Sequence, residues 1–177
     1  MKSLIVQNPT ELATLKNTVI ESMQLSSDNL EKLAKESPPL DLFSSMKFSK
    51  LGFDPLAPER PLNLIEQINQ SFTYLASFLA VEILFVEHPD LAPFKLNLGT
   101  AAGADIESQC KKLSAEVFAS VTPTNNQKLK NDINKVLLTD SIFKYSFFMC
   151  PGFKAGRQAN YEREGVKVWA LEICTTQ

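Results

Sequence analysis

The first third of the chain carries the signals of helices. Asn8-Pro9-Thr10-Glu11 is typical of a helix start, because an Asn cap is followed by Pro at the first position and Glu at the third. This helix is expected to reach about Met23. A second and more charged helix, capped by Ser27 or Asp28, is predicted to end before the Pro38-Pro39 pair.

Residues 37–61 hold five prolines and Gly52, which predicts an irregular connector. The next stretch, 62–87, has the spacing of one long helix. Its expected apolar stripe comprises Ile65, Ile68, Phe72, Leu75, Leu79 and Val86. The longest apolar run, 74–86, contains Glu82 and is too short and too charged to cross a bilayer.

After this helix the apolar period changes from helical to two, which predicts strands. The expected strands are 94–99, 104–108, 112–121, 144–150 and 166–173, with one helix at 126–138. The fold class is therefore α+β or α/β, a mixed central sheet of about five strands flanked by helices. We expect an α-β-β-β-α-β core over 62–177, preceded by a helical arm and connector over 1–61, in one compact domain overall.

Composition narrows the range of functions. The 177 residues are 44% hydrophobic and 21% charged, which is ordinary for a soluble globular protein. The net charge of −2 excludes strong whole-molecule attraction to nucleic acid or anionic lipid. Residues 1–90 have seven basic and twelve acidic side chains, whereas 91–177 have eleven basic and eight acidic. The strand-rich half is thus mildly basic, which is compatible with a phosphate-bearing ligand.

Cysteine and histidine usage excludes further chemistry. Cys110, Cys150 and Cys174 are far apart and His88 stands alone, so neither a zinc site nor a Ser-His-Asp or Cys-His machine is expected. Three dispersed cysteines are typical of reduced thiols, and no signal peptide is recognisable at the start. We therefore expect a cytoplasmic protein with no membrane association. The glycines form no phosphate loop and no dinucleotide fingerprint.

Acidic residues converge in the predicted hairpin of the two middle strands. If Gln109 and Cys110 form a two-residue turn, Asp105 lies opposite Ser114, and Glu116 is its diagonal neighbour on the same face, roughly 7–8 Å away at the backbone. Glu107 also lies on that face, whereas a three-residue turn would separate Asp105 from Glu116. Two converging carboxylates suit Mg²⁺ or Mn²⁺, which prefer oxygen ligands.

The order of elements and these two acids resemble the restriction-endonuclease-like, or PD-(D/E)xK, superfamily over residues 62–150. By this resemblance Asp105 is the motif's Asp, Glu116 its (D/E), and both are metal ligands. Glu66 or Glu82 would match the acidic residue that some members place on the first core helix.

The third position of the motif departs from the family. The lysine expected two residues after Glu116 is Phe118 in this chain. In some members that lysine lies on the following helix, where Lys128 or Lys130 could serve here. Lys128 is the first choice for the catalytic role.

Ordinary structural roles compete with each assignment. Asp105, Glu107 and Glu116 could form the solvated face of a hairpin with Lys112 as a cross-strand partner. Glu82 falls on an apolar stripe, where an acid is costly unless it is paired, and Glu66 suits a polar face or a cap. Exposed charge is the default for Lys128 and Lys130. In the polar stretch 151–165, the basic side chains could contact a phosphate backbone or belong to a plain surface loop: Lys154, Arg157 and Arg163.

Two functions from different classes follow. The first is a Mg²⁺- or Mn²⁺-dependent phosphodiesterase that acts on DNA. The alternative is a catalytically inactive nuclease-like scaffold that serves as a binding, regulatory or immunity-type module. In the second case the acidic arm, residues 1–36, could pack on a protein partner or a second copy of the chain.

Overall fold

The computed structural model describes residues 2–99 and 103–173, and in this part of the chain it shows the predicted mixed α+β fold. The helices are α1 (Pro9–Glu36), α2 (Pro39–Phe48), α3 (Leu64–Glu87) and α4 (Lys128–Leu137). The strands are β1 (Lys2–Val6), β2 (Gly52–Asp54), β3 (Ala57–Leu62), β4 (Phe94–Leu98), β5 (Ile106–Ser108), β6 (Leu113–Ala119), β7 (Phe143–Met149), β8 (Gly156–Arg157) and β9 (Val166–Ala170). From α3 to β7 the order is α-β-β-β-α-β, as expected.

The described residues form two compact units. One unit contains the chain up to Leu12 together with the chain from Thr73 onward, and the other contains Ala13–Phe72. The first unit is built on a seven-stranded sheet in the order β1-β4-β5-β6-β7-β9-β8. The sequence pattern predicted five of these strands, and the two it missed are β1 and the very short β8.

The sheet changes direction at β6. Strands β1, β4, β5 and β6 are antiparallel neighbours, while β6 pairs in parallel with β7 and β7 with β9. Helix α4 makes the connection from β6 to β7, because parallel neighbours need a crossover. All residues of β6 from Leu113 to Phe118 are buried, so both faces of this strand are covered.

Each face of the sheet has its own cover. On one face the apolar side of α4 packs on β6, β7 and β9 through Ile133, Phe118, Phe148 and Val168. On the other face the ring of Phe85, from the end of α3, meets Phe94 edge-on with centroids 5.1 Å apart. The cover by α4 does not reach β4 and β5, whose side chains on the α4 face are polar.

The two helices expected over 8–36 are one continuous helix, α1. Its start is as predicted, since Asn8 Oδ1 accepts the Glu11 N–H at 3.1 Å and Glu11 Oε2 accepts the Gln7 N–H at 2.8 Å. No second start occurs at Ser27 or Asp28. A neighbouring serine, Ser26, is buried and donates its hydroxyl to Gln67 on α3, so the serine-rich segment packs as helix interior.

The predicted connector 37–61 is more regular than its prolines indicate. It contains α2, which begins with Pro39 at its first turn, and a hairpin of β2 and β3. Pro at a helix start and at a hairpin edge is compatible with its missing N–H. The first residue of β2 is Gly52, where a side chain has no room because an added Cβ would lie 2.5 Å from Gln67 Oε1.

The buried stripe of α3 is offset by one residue from most of the predicted one, although Leu75 is buried as expected. Ile65, Ile68 and Val86 are exposed, whereas Gln67 and Ser71 are buried. The helix is long and apolar enough to cross a membrane by length and composition, yet half of its most apolar window is buried within the protein.

Candidate acidic site on the sheet

The β5–β6 hairpin brings Asp105 and Glu116 together in a different register from the predicted one. Glu107 pairs with Ser114 and Ile106 with Ala115, so the next step places Asp105 directly opposite Glu116. The loop is Gln109–Lys112 rather than a two-residue turn. The shift amounts to two residues, which preserves the face on which both acids lie.

Local hydrogen bonds explain the longer loop. Lys111 N–H donates to the Ser108 carbonyl at 2.9 Å, and Lys111 has a left-handed backbone with φ 59°. The Ser108 hydroxyl oxygen accepts the Leu113 N–H at 3.0 Å. These bonds close the loop with Ser108 and Leu113 at its two ends, and the register of the acids follows from them.

Both acids are held by defined partners. Asp105 Oδ2 accepts the Val117 N–H at 2.8 Å, which ties the loop before β5 to the middle of β6. Glu116 is only 2% exposed and its Oε2 accepts a hydrogen bond from Lys135 Nζ at 2.7 Å. A solvated hairpin face is therefore the wrong description for Glu116, because α4 and its neighbours cover that part of the face.

The lysine that reaches the acids is Lys135, which the sequence argument did not select. Its side chain is 59% exposed, so the ammonium group stands between Glu116 and solvent. Lys128, the predicted catalytic lysine, instead pairs with Asp132 Oδ1 at 2.7 Å and lies over the Phe118 ring. Positions 128, 132 and 135 lie on one face of α4, because they are four and three residues apart. This spacing is a sequence signal from which Lys135 could have been selected together with Lys128.

Asp132 is a second residue that the sequence argument missed. It is 1% exposed, and no hydrogen bond reaches its Oδ2 from the described residues. The same holds for the hydroxyl of buried Ser146, the parallel neighbour of Glu116 on β7. Buried polar atoms without a hydrogen-bond partner are uncommon in folded proteins, and Asp132 is close enough for its charge to act on Glu116.

Burial and mutual repulsion shift the carboxyl groups of this cluster. Burial raises the pKa of Glu116 to about 7, the charge of Asp105 acts in the same direction, and the hydrogen bond from Lys135 opposes both. Burial also raises the pKa of Asp105 and of Asp132, against the Val117 N–H bond and Lys128 respectively. The cluster thus holds protons more tightly than isolated acids, and a cation would compete with them.

The other predicted acids lie elsewhere. Glu107 is half-buried on β5 and interacts with Asn97 and Lys95, not with Lys112. Glu66 is exposed and caps the start of α3 together with Asn63, which is one of the ordinary structural roles predicted for it. Glu82 is half-buried, and Val86 on its predicted stripe is 80% exposed, so that stripe is not buried there.

The basic candidates differ in availability. Arg157 donates two hydrogen bonds to Glu162, at 2.6 and 2.8 Å, so its guanidinium is neutralised. Lys154 is exposed. Lys130, whose Nζ lies 3.4 Å from Gln127 Oε1, lines a cleft together with Arg163. Of the three predicted phosphate contacts, Arg157 is thus neutralised, Lys154 is exposed and Arg163 lines the cleft, where it is joined by Lys130, a candidate for the catalytic lysine.

The acidic pair can supply the two carboxylates of a simple Mg²⁺ site, but the described residues offer no further protein ligand. Mg²⁺ is commonly held by one or two carboxylates, with water and substrate oxygens as its other ligands, and Asp105 with Glu116 would supply that pair. Within residues 2–99 and 103–173, no three or more Asp, Glu, His or Cys side chains are grouped so that they could hold a metal ion. Asp105, Glu116, water and the oxygens of a bound substrate would therefore supply all the ligands of a cation at this site.

Comparisons with protein-family models, with curated proteins and with solved structures found no match for this chain.

Proposed function

We propose that the protein is a Mg²⁺- or Mn²⁺-dependent phosphodiesterase that acts on DNA. The observation that carries the proposal is the meeting of three groups: Asp105 opposite Glu116 across the hairpin, with Lys135 Nζ 2.7 Å from Glu116. The resemblance to the PD-(D/E)xK superfamily motivates the reaction class, and the observed order of elements from α3 to β7 supports it.

Each residue has a distinct task in this proposal. Asp105 and Glu116 would hold the cation, which supplies Lewis-acid stabilisation of charge on the scissile phosphate. Lys135 places a positive charge at the solvent side of the pair, where it would bind a phosphate oxygen and position it. The Val117 N–H fixes the Asp105 carboxylate, so the pair needs little rearrangement on binding.

Lys128 has a supporting rather than a catalytic task. It neutralises buried Asp132 and so keeps a further negative charge from repelling the substrate. Phe118, which occupies the family's lysine position, belongs to the apolar layer under α4 and is 4% exposed. The lysine function would therefore have moved to the last turn of α4, at Lys135.

The test is cleavage of supercoiled plasmid and of single-stranded DNA in Mg²⁺, in Mn²⁺ and in EDTA. We expect cation-dependent cleavage that falls by at least about 100-fold in Asp105→Asn, Glu116→Gln and Lys135→Met, the loss typical of removing one preorganised charged group. Circular dichroism and thermal unfolding of each variant establish that the loss is not a loss of fold.

The matched control is Glu107→Gln, which changes a carboxylate on β5, two residues from Asp105, that interacts with Asn97 and Lys95. It should retain wild-type cleavage. Activity that persists unchanged in Asp105→Asn, or that survives in EDTA, contradicts the proposal.

The second candidate function is a catalytically inactive scaffold of binding, regulatory or immunity type. The favouring observation is that Glu116 already has a positively charged partner in Lys135, without a cation. Calorimetry with Mn²⁺ separates the two candidates. Tight binding that disappears in Glu116→Gln supports the phosphodiesterase, whereas no binding together with no cleavage favours the scaffold.

We also propose a cytoplasmic location and, beyond DNA, association with a partner or a second copy through the N-terminal arm. Cys110 and Cys150 are free thiols, and Cys174 lies outside the described residues. Following the arm, α2 has no buried residue and exposes Leu40, Phe43 and Phe48. Sedimentation of the wild-type chain tests association with a second copy, and we expect Phe43→Ser to weaken it if the exposed face of α2 extends the contact made by the arm.

A further inference from the structure

A cleft of about 260 Å³ lies beside α4, on the side away from the acidic pair. We call it the α4 cleft. The α4 side of it presents Gln127, Leu129 and Lys130, and the segment before β9 presents Asn160, Tyr161 and Arg163. Both sides belong to the unit that carries the sheet.

The charge of the cleft is entirely positive. Lys130 and Arg163 line it, and none of its lining residues is acidic. Within the described parts of the chain no ion pair neutralises either cation, in contrast to Arg157, which Glu162 binds with two hydrogen bonds. Two unneutralised cations across a small concavity favour an anionic group between them.

The interior of the cleft is apolar and aromatic. Leu129 is buried at 5% exposure, and Tyr161 is half-buried with Phe148 and Phe153 each 6.3 Å from its ring centroid. Those neighbours hold the tyrosine ring in place. Amide groups of Gln127 and Asn160 complete the lining with groups that can both donate and accept hydrogen bonds.

We propose that the α4 cleft binds one unpaired nucleotide of a DNA strand, with the base against Tyr161 and Leu129 and a phosphate between Lys130 and Arg163. Stacking on an aromatic ring beside a cationic track is the common way to bind single strands. The volume is below the roughly 300–1,000 Å³ that encloses drug-sized ligands, so it suits a single unit of a strand. The identity of the ligand rests on the proposed function, while the cavity and its charges do not.

The position of the cleft has a consequence for the substrate. Glu116 and Asp105 lie at the β5–β6 side of α4, whereas Tyr161 and Arg163 precede β9, beyond β7 in the sheet. The two places therefore lie on different sides of α4, and a helix with its side chains is about 10–12 Å across. The bound nucleotide is a neighbour of the scissile phosphate along the strand, not the nucleotide that carries it.

The experiment measures binding without catalysis, by fluorescence anisotropy of a fluorescein-labelled oligo-thymidine strand in EDTA over a range of salt. We expect Arg163→Ala and Lys130→Ala each to weaken binding about tenfold and to lower the salt slope by about 0.7. Tyr161→Ala should weaken binding about tenfold with an unchanged slope, and Tyr161→Phe should retain wild-type affinity. A blunt duplex should bind more weakly than the single strand.

The charge-matched control is Lys50→Ala, which removes one exposed positive charge from the other unit. An equal loss of affinity and slope in Lys50→Ala shows general electrostatic attraction and overturns the proposal. Wild-type binding in both Arg163→Ala and Lys130→Ala, or equal affinity for duplex and single strand, overturns it as well. If Tyr161→Ala does not fold, the two charge variants decide the question.

The outcomes for the cleft and for the acidic pair are distinguishable. A chain that binds the strand through Lys130 and Arg163 but does not cleave it in Mn²⁺ contradicts the phosphodiesterase and supports the cleft. A chain that cleaves DNA, but whose binding in EDTA is unaffected by the cleft variants, supports the phosphodiesterase and contradicts the cleft.

Discussion

At the scale of single residues, the predictable part of the site is the part that depends on strand alternation. Asp105 and Glu116 share a face because side chains alternate with a period of two, and that argument survived an error in the loop. Lys135 was missed for a physical reason. The stripe of a helix that meets an acid depends on how the helix is rotated over the sheet, and that rotation comes from packing at Ile133 and Val136.

His88 illustrates a residue whose role only contacts could reveal. It is 8% exposed, its Nε2 lies 2.7 Å from the Tyr145 hydroxyl, and the ring packs against Phe143 with centroids 4.3 Å apart. Burial, and then the charge of Lys167, lower the pKa of His88 below its ordinary 6.5, while Asp90 and Glu87 oppose them. The folded protein therefore favours the neutral imidazole.

This shift predicts a pH-dependent contribution to stability. Above about pH 6.5 the contribution is fully present. As the pH falls below that value, the unfolded chain takes up a proton that the folded chain does not, so the free energy of unfolding decreases by no more than about 1.4 kcal/mol per pH unit. Urea unfolding across this range should show the wild type losing stability relative to His88→Gln, which retains a polar group but does not titrate.

The comparison between the two proteins isolates His88 from the acids. Glu116 also titrates near pH 7, but its raised pKa acts in the opposite direction and is common to both chains. Parallel stability curves for wild type and His88→Gln between pH 7 and pH 5 would show that the imidazole does not titrate differently on folding.

At the scale of elements, two errors in prediction share one cause: the break in α1 and the irregular connector. Serine and proline indicate breaks in a sequence pattern, whereas the fold gives them partners or helix starts. Ser22 and Ser26 of α1 lie against Gln67, whose amide donates to the Ser22 carbonyl at 3.0 Å and whose Oε1 accepts the Phe53 N–H at 3.0 Å. A sequence pattern cannot show that a buried serine has such a partner, so α1 was expected as two helices.

The Gln67 network gives a prediction for this element. Gln67→Leu fills a similar volume but leaves the Ser26 hydroxyl and the Phe53 N–H without their buried acceptor. We expect the free energy of unfolding to fall by about 2–3 kcal/mol, measured by urea unfolding. Gly52→Ala should also destabilise, because its Cβ would lie 2.5 Å from Gln67 Oε1.

Gln70 offers the matched control, one turn further along α3. It is half-buried and bonds Glu66 within the same helix, so Gln70→Leu should change stability by no more than about 0.5 kcal/mol. Equal effects of Gln67→Leu and Gln70→Leu would contradict the importance of the buried network.

At the scale of the whole molecule, the fold class was predictable because long periodic segments determine it. The α-β-β-β-α-β order was read correctly, since each of its segments has a clear period. The place of β1 was not, because a five-residue segment with only three apolar residues carries no signal of its partner. It pairs with β4 along its whole length, from Lys2 opposite Leu98 to Val6 opposite Phe94.

The edge position of β1 leads to a further prediction. Val6 is buried at 1% exposure and its neighbour Ile5 is 53% exposed, so the two residues form a matched pair. Val6→Ser should lower the free energy of unfolding by about 2–3 kcal/mol, and Ile5→Ser by no more than about 0.5 kcal/mol. Similar losses in Val6→Ser and Ile5→Ser would show that β1 is not paired in this way.

Removal of β1 should in addition promote aggregation, detected by light scattering, because β4 would become an unpaired edge.

The length of the loop Gln109–Lys112 determines which face of the sheet Asp105 lies on. Adding or removing a pair of loop residues slides Asp105 along β6 but returns it to the side of the sheet that faces α4. A single inserted or deleted residue turns it toward the side that α3 covers, where no lysine of α4 can reach it. Natural variation in the length of this loop should therefore come in steps of two residues.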